Sequence, residues 1–69
     1  MKLIDWQTYA IGRVANREHE RPGQALYNAL REKRPDLEAR IWQTEYDTFN
    51  NDEAMPDLFN WVALHWDTT

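Results

Sequence analysis

The sequence predicts an all-α fold, a small bundle of three to four short helices, on three observations. Apolar residues recur at helical spacing, most cleanly at Ala25, Leu26, Ala29 and Leu30. Pro22, Pro35 and Pro56 cut the chain into segments, and Pro35 and Pro56 stand where helices start. The chain has 69 residues and no cysteine, so neither disulfides nor zinc-thiolate sites stabilise it, and dense helix packing or oligomerisation must do so. A folded chain of this mass exposes ~4,600 Å² against ~12,000 Å² unfolded, a thin margin for a stand-alone domain. Residues 1–69 are therefore read as a single helical domain.

The first segment spans about Ile4–Glu20. Trp6, Ala10 and Val14 form one helical row, and Ile4, Ile11 and Ala15 an adjacent one, giving a broad apolar stripe. Arg13, Arg17 and Arg21 recur at i, i+4 and i+8. Gly12 weakens this helix by about 1 kcal/mol relative to Ala, unless it admits a neighbouring helix or ring. Pro22-Gly23 breaks the chain. The second segment, Gly23–Lys33, places Ala25, Leu26, Ala29 and Leu30 on one face with Tyr27 beside it. Arg31, Lys33 and Arg34 load its end with positive charge, which suits the helix dipole. Pro35 stops it.

The third segment opens at Pro35, with Asp36 and Glu38 in its first turn, and ends near Thr44 or Glu45. Leu37 and Ile41 form its apolar row, Trp42 joins the core beside it, and Asp36 and Arg40 stand at ion-pair spacing. Residues Tyr46–Met55, rich in Asn and Asp, read as a loop. The fourth segment runs from Pro56 to about Trp66. Leu58, Phe59, Trp61, Val62, Leu64 and Trp66 cover most of its circumference, and such a helix wants burial on all sides. A chain this short offers little to bury it in, so a homodimer is expected. The expected core centre is Leu26, Leu30, Leu37, Ile41, Leu58 and Val62.

Composition excludes several function classes. The chain has no serine and no cysteine, so the familiar nucleophilic triads are absent. His19 and His65, the two histidines, have only sequence-adjacent carboxylates, which point away from them on a helix. No catalytic residue, metal ligand or cofactor is assigned. Glu45, Asp47, Asp52 and Glu53 cluster near the loop, but the alternate-ligand spacing and mid-loop glycine of a calcium loop are missing. They read as a solvated turn or as an acidic contact for a basic partner. Substituting Asp52 and Glu53 is expected to leave the fold intact. No apolar run approaches the roughly 18 residues of a membrane span, and no signal-peptide pattern opens the chain. A cytoplasmic location is expected.

Net charge is −4, distributed unevenly. Residues 1–35 hold seven Lys/Arg and four Asp/Glu, whereas residues 36–69 hold Arg40 against eight Asp/Glu. This fits a solvated surface, an acidic face for a basic partner, or head-to-tail association. The Arg13/Arg17/Arg21 stripe suggests phosphate contacts, yet the sequence pI near 4.9 argues against a dedicated nucleic-acid binder. Four tryptophans are many for this length. Trp6 and Trp42 are assigned to the core. Trp61 and Trp66 stand five residues apart, so they face differently and at least one is a candidate interface residue.

The stretch from Arg21 to Phe49 carries Arg21, Gly23, Gln24, Ala25, Leu26, Asn28 and Leu30, then Arg34, Pro35 and Leu37, then Ile41, Thr44, Asp47 and Phe49, with Asp52 beyond. This pattern resembles a family of short uncharacterised phage, prophage and bacterial proteins. It departs at Asn50, where the family has an aromatic residue. The resemblance implies a phage context, in which short acidic proteins bind and disable host proteins such as transcription regulators, defence components or pilus motors. The expected function is a non-enzymatic interaction protein that inhibits a bacterial host protein. Its partner-binding residues are taken from Trp61, Trp66, Asp47, Asp52, Glu53, Arg13 and Arg17. The alternative is a small nucleic-acid-associated regulator using Arg13, Arg17 and Arg21.

Overall fold

The structure, a computed structural model, describes residues 1–67; the last two residues of the expected 1–69 domain lie outside the described residues. The described residues form four α-helices: α1 (Leu3–Ala15), α2 (Pro22–Lys33), α3 (Pro35–Ile41) and α4 (Met55–His65). One 3-10 turn, Asp52–Ala54, leads into α4, and the described residues contain no strand. The all-α fold expected from helical spacing is present, with three helices opening at or next to the three prolines.

Helix α2 is the central element because its apolar positions close a face on every turn. Ala25, Leu26, Ala29 and Leu30 are all buried, and Tyr27 joins them. Leu37 and Ile41 from α3 and Leu58 and Val62 from α4 complete a centre that includes all six residues expected there. Trp6 of α1 is fully buried, and its indole N–H donates to the Ala29 carbonyl at 3.1 Å. Burying a ring of this size contributes on the order of 4–6 kcal/mol. The hydrogen bond removes the cost of burying the indole N–H unsatisfied. The same ring touches Phe59 and Trp66, at centroid separations of 5.7 and 6.0 Å. Tryptophan thus spans a gap between α1 and α4 that smaller side chains would leave open.

Arg34 joins α2 to α3 as a one-residue hinge, with φ −138° and ψ 70°. Its amide closes α2 on Leu30, and its carbonyl accepts the first bonds of α3. Its guanidinium donates twice to Asp36, both bonds at 2.9 Å, and reaches the Trp66 carbonyl at 3.0 Å. It also lies 4.5 Å over the Trp66 ring, so one side chain fixes both the hinge and the end of α4.

The start of α2 is clamped to the 48–52 segment. Thr48 is fully buried, and its hydroxyl donates to the Gly23 carbonyl at 2.7 Å. Asp52 accepts from the Gly23 amide at 3.0 Å, one of the donors a helix start leaves unpaired. A Cβ at position 23 would collide with the Thr48 carbonyl and the Asp52 carboxylate. Arg21 donates to the Phe49 carbonyl at 2.7 Å, and Phe49 meets Tyr27 edge-on at 5.5 Å.

Four expectations are corrected. Helix α1 ends at Ala15 rather than near Glu20, so Ile4, Ile11 and Ala15 form no second core row; Ile4 and Ile11 are each 62% exposed. A short outer helix buries one side only, and Trp6 and Ala10 occupy it. Helix α3 stops at Ile41, and Trp42, assigned to the core, is 59% exposed. The backbone turns out of the helix at Trp42 and into a left-handed conformation at Gln43, φ 60°, which carries the indole away from the core. Asp36 pairs with Arg34, two residues back, rather than with Arg40. Helix α4 is buried on one side only: Leu58 and Val62 face the core, while Ala63 and Leu64 are exposed. Its apolar circumference therefore does not by itself demand a second chain. The total surface of 4458 Å² matches the ~4,600 Å² of a compact monomer of this mass.

Leu30→Ala should cost about 2–5 kcal/mol in urea denaturation, because Leu30 is fully buried at the centre. The two glycines should respond to alanine with opposite signs. A Cβ at Gly12 meets no atom within 4 Å, so Gly12 admits no close neighbour and Gly12→Ala should stabilise by about 1 kcal/mol. Gly23→Ala should destabilise by about 1–3 kcal/mol, since the clamp must move.

Candidate interaction site

Helix α4 presents a different surface on each flank. On one, Trp61 is half-buried and held in place by its neighbours. His65 stacks on it at 4.3 Å and 20°, an i, i+4 pairing that the helix itself dictates. The His65 Nδ1 lies 2.8 Å from the Trp61 carbonyl. Tyr46 meets the indole at 6.0 Å, and the Arg40 guanidinium lies 5.2 Å from its ring. Glu45 and Asp57 border this hollow of about 410 Å³, and Leu64 beside it is 78% exposed. The arrangement joins a rigid aromatic anchor to an apolar neighbour and an acidic rim.

On the other flank, α4 and α1 enclose an apolar groove whose lining includes Ile11, Met55 and Phe59. Three of these features were not visible beforehand. Tyr46 read as a loop residue, Arg40 as the ion partner of Asp36, and Ile11 as one row of a broad apolar stripe. The one available signal was the offset of the Ile4–Ile11 row from the Trp6 row, which a helix burying a single side must leave outside.

The remaining candidate residues divide between surface and scaffold. Trp66 is 6% exposed, packed on Trp6 and covered by Arg34, so it is a core residue rather than an interface one. Asp47 turns inward and accepts from the Gln43 and Phe49 amides at 2.8 and 2.9 Å. Asp52 accepts from the Gly23 amide at the start of α2, so its carboxylate is engaged within the fold rather than free for a partner. Glu53 is exposed. Among the described residues no cluster of three or more His, Cys, Asp or Glu is placed to hold a metal.

Arg13, Arg17 and Arg21 do not share one helix. Arg13 lies on α1, Arg17 in the turn beyond it, and Arg21 at the cap of α2. Arg13 forms an ion pair with Glu20 and reaches Glu32 at 3.4 Å. Tyr9 donates to Glu32 at 2.6 Å, and Asn28 donates to Glu20. Arg17 donates to the Val14 carbonyl at 2.8 Å. Hydrogen bonds from Arg13 and then Asn28 hold the Glu20 carboxyl below its usual range. Those from Tyr9 and then Arg13 do the same for Glu32. The network staples α1 and the 16–21 turn onto α2, so Arg13 is occupied by the fold.

Comparisons with family models, with curated proteins and with solved structures find no match.

Because both carboxyls titrate lower in the folded chain than unfolded, their contribution is complete above the ordinary value of 4.5 and is lost as pH falls below it. Glu20→Gln should therefore reduce the loss of stability between pH 7 and pH 3, read as the shift in urea midpoint, relative to the unaltered chain.

Proposed function

We propose that this protein is a non-enzymatic interaction protein of phage origin that binds and inhibits a bacterial host protein in the cytoplasm, docking through the Trp61 face. The observation that carries this reading is the pre-set indole. Trp61 is fixed by His65 and Tyr46 while its hollow stays open beside exposed Leu64. Large rigid aromatics dominate interface energies, and pre-ordering lowers the entropy lost on binding. The rim of Glu45 and Asp57, with exposed Glu53 on the same acidic half, suits a partner that surrounds an apolar contact with basic groups.

The phage context and inhibitory role rest on the resemblance of residues 21–52, and the absence of serine and cysteine favours binding over catalysis. The nucleic-acid reading has less support, because Arg13 would have to leave Glu20 and Glu32, and Arg21 the Phe49 carbonyl, to meet phosphates.

A tagged chain incubated with nuclease-treated bacterial lysate should retain one stoichiometric protein partner. Trp61→Ala, checked for unchanged helicity, should weaken that binding at least about 30-fold. Partners lost on nuclease treatment, or equal capture by the variant, would overturn the proposal.

A further inference from the structure

A further hollow, of about 260 Å³, opens where the end of α3 meets α2 and the segment after it. Arg31, Trp42, Gln43 and Asn50 line it, together with the edge-on pair of Tyr27 and Phe49. We infer that this hollow is a nucleotide site, which takes one nucleoside monophosphate with its base on the Trp42 ring and its phosphate at Arg31.

A strained residue keeps this indole outside. Trp42 is 59% exposed, and Gln43 beside it holds φ 60°, a left-handed conformation that a side chain disfavours. The turn is fixed there by its own bonds. The Asp47 carboxylate accepts from the Gln43 amide at 2.8 Å, and the Ile41 carbonyl accepts from the Thr44 amide at 3.0 Å. Strain of this kind persists only where the surroundings hold it, and it gathers at ligand sites. An exposed ring on a fixed turn is a platform on which any nucleobase can stack.

Polarity selects the ligand. Among the described residues, neither the Arg31 guanidinium nor the Gln43 side-chain amide has a hydrogen-bond or ion-pair partner. The Asn50 Oδ1 accepts from Arg21 at 2.9 Å, which leaves the Asn50 amino group to donate. Asp47 is the one carboxylate in the lining. Its two oxygens accept from the Gln43 and Phe49 amides at 2.8 and 2.9 Å, so it is turned toward its own backbone. A ring beside free donors and an unpaired guanidinium matches a planar base with acceptor atoms on its edge, joined to an anion. An apolar side chain seated here would leave those donors unpaired, and a cation would meet Arg31.

Size limits the ligand to one unit. The hollow is smaller than the roughly 300–1,000 Å³ pockets that enclose a drug-sized molecule, so it holds a base with part of its sugar and leaves the phosphate at the rim. A strand would need further cations for its further phosphates. The neighbouring ones are engaged, Arg21 on the Phe49 carbonyl and Asn50, and Arg34 on Asp36. The inference is independent of the proposed target site, which uses Trp61 on α4.

The test is an NMR titration of the full chain with adenosine monophosphate, following the four tryptophan indole N–H signals. The Trp42 signal, identified by its loss in Trp42→Phe, should shift with a dissociation constant below about 1 mM. Trp42→Ala, at an exposed site, should keep its helical signal and weaken binding at least about 10-fold, read on the Gln43 and Asn50 amide signals. Arg31→Gln should weaken the nucleotide at least about 5-fold and leave adenosine unchanged. If Trp42→Ala loses helicity, Arg31→Gln carries the expectation. Trp61→Ala should bind the nucleotide as the unaltered chain does. A Trp42 signal that stays still at several millimolar nucleotide would overturn the inference. So would adenosine or inorganic phosphate binding as tightly as the nucleotide, or an Arg31→Gln variant that keeps full affinity. A short oligoadenylate that binds more tightly, with a salt dependence steeper than one phosphate contact gives, would also overturn it and would assign the face to a strand.

Discussion

The clamp between Gly23 and residues 48–52 is the constraint on which the rest of the structure depends. The segment between α3 and α4 has little regular structure and must supply its own hydrogen-bond partners. It does so by seating the Thr48 hydroxyl on the Gly23 carbonyl and the Asp52 carboxylate on the Gly23 amide. This contact requires the absence of a side chain, because a Cβ at Gly23 would occupy the space held by both. With the clamp closed, the 3-10 turn and α4 begin at a fixed point beside α2, and Leu58 and Val62 reach the core. Arg34 secures the far end of α4 through the Trp66 carbonyl and ring.

Large aromatics make so small a core sufficient. Trp6 lies between α2 and α4, bonds to the Ala29 carbonyl, and contacts Phe59 and Trp66. A chain of aliphatic residues alone would need more helices to remove the same area from water. The polar groups surrounding this core are largely engaged in holding helices together. The Arg13–Glu20–Glu32 network joins α1 to α2, and Tyr27 donates to Glu38 between α2 and α3. Among the described residues no buried side-chain polar atom lacks a partner.

This use of charge changes how the surface is read. Three of the residues that looked like contacts for a partner, Arg13, Asp47 and Asp52, hold the fold instead. Beside the exposed charges, the apolar and aromatic side chains left outward include Trp61 with Leu64 on one flank of α4 and Ile11 with the groove on the other.

Local rules reached a definite limit in this chain. Helical spacing and proline placement determined the all-α class, the position of α2 and the six central core residues, because those depend on neighbours three or four positions apart. The end of α1 was missed because no proline or glycine marks Ala15, and Trp42 was misplaced because its exposure follows from the backbone turn at Gln43. The choice of Trp61 over Trp66 as the outward ring, and the conversion of Asp52 from surface charge to helix cap, needed α2, α4 and the 48–52 segment in one place. Side-chain spacing sets which residues share a helix face. Only the packing of one helix on another decides which of those faces is covered and which charge finds a partner.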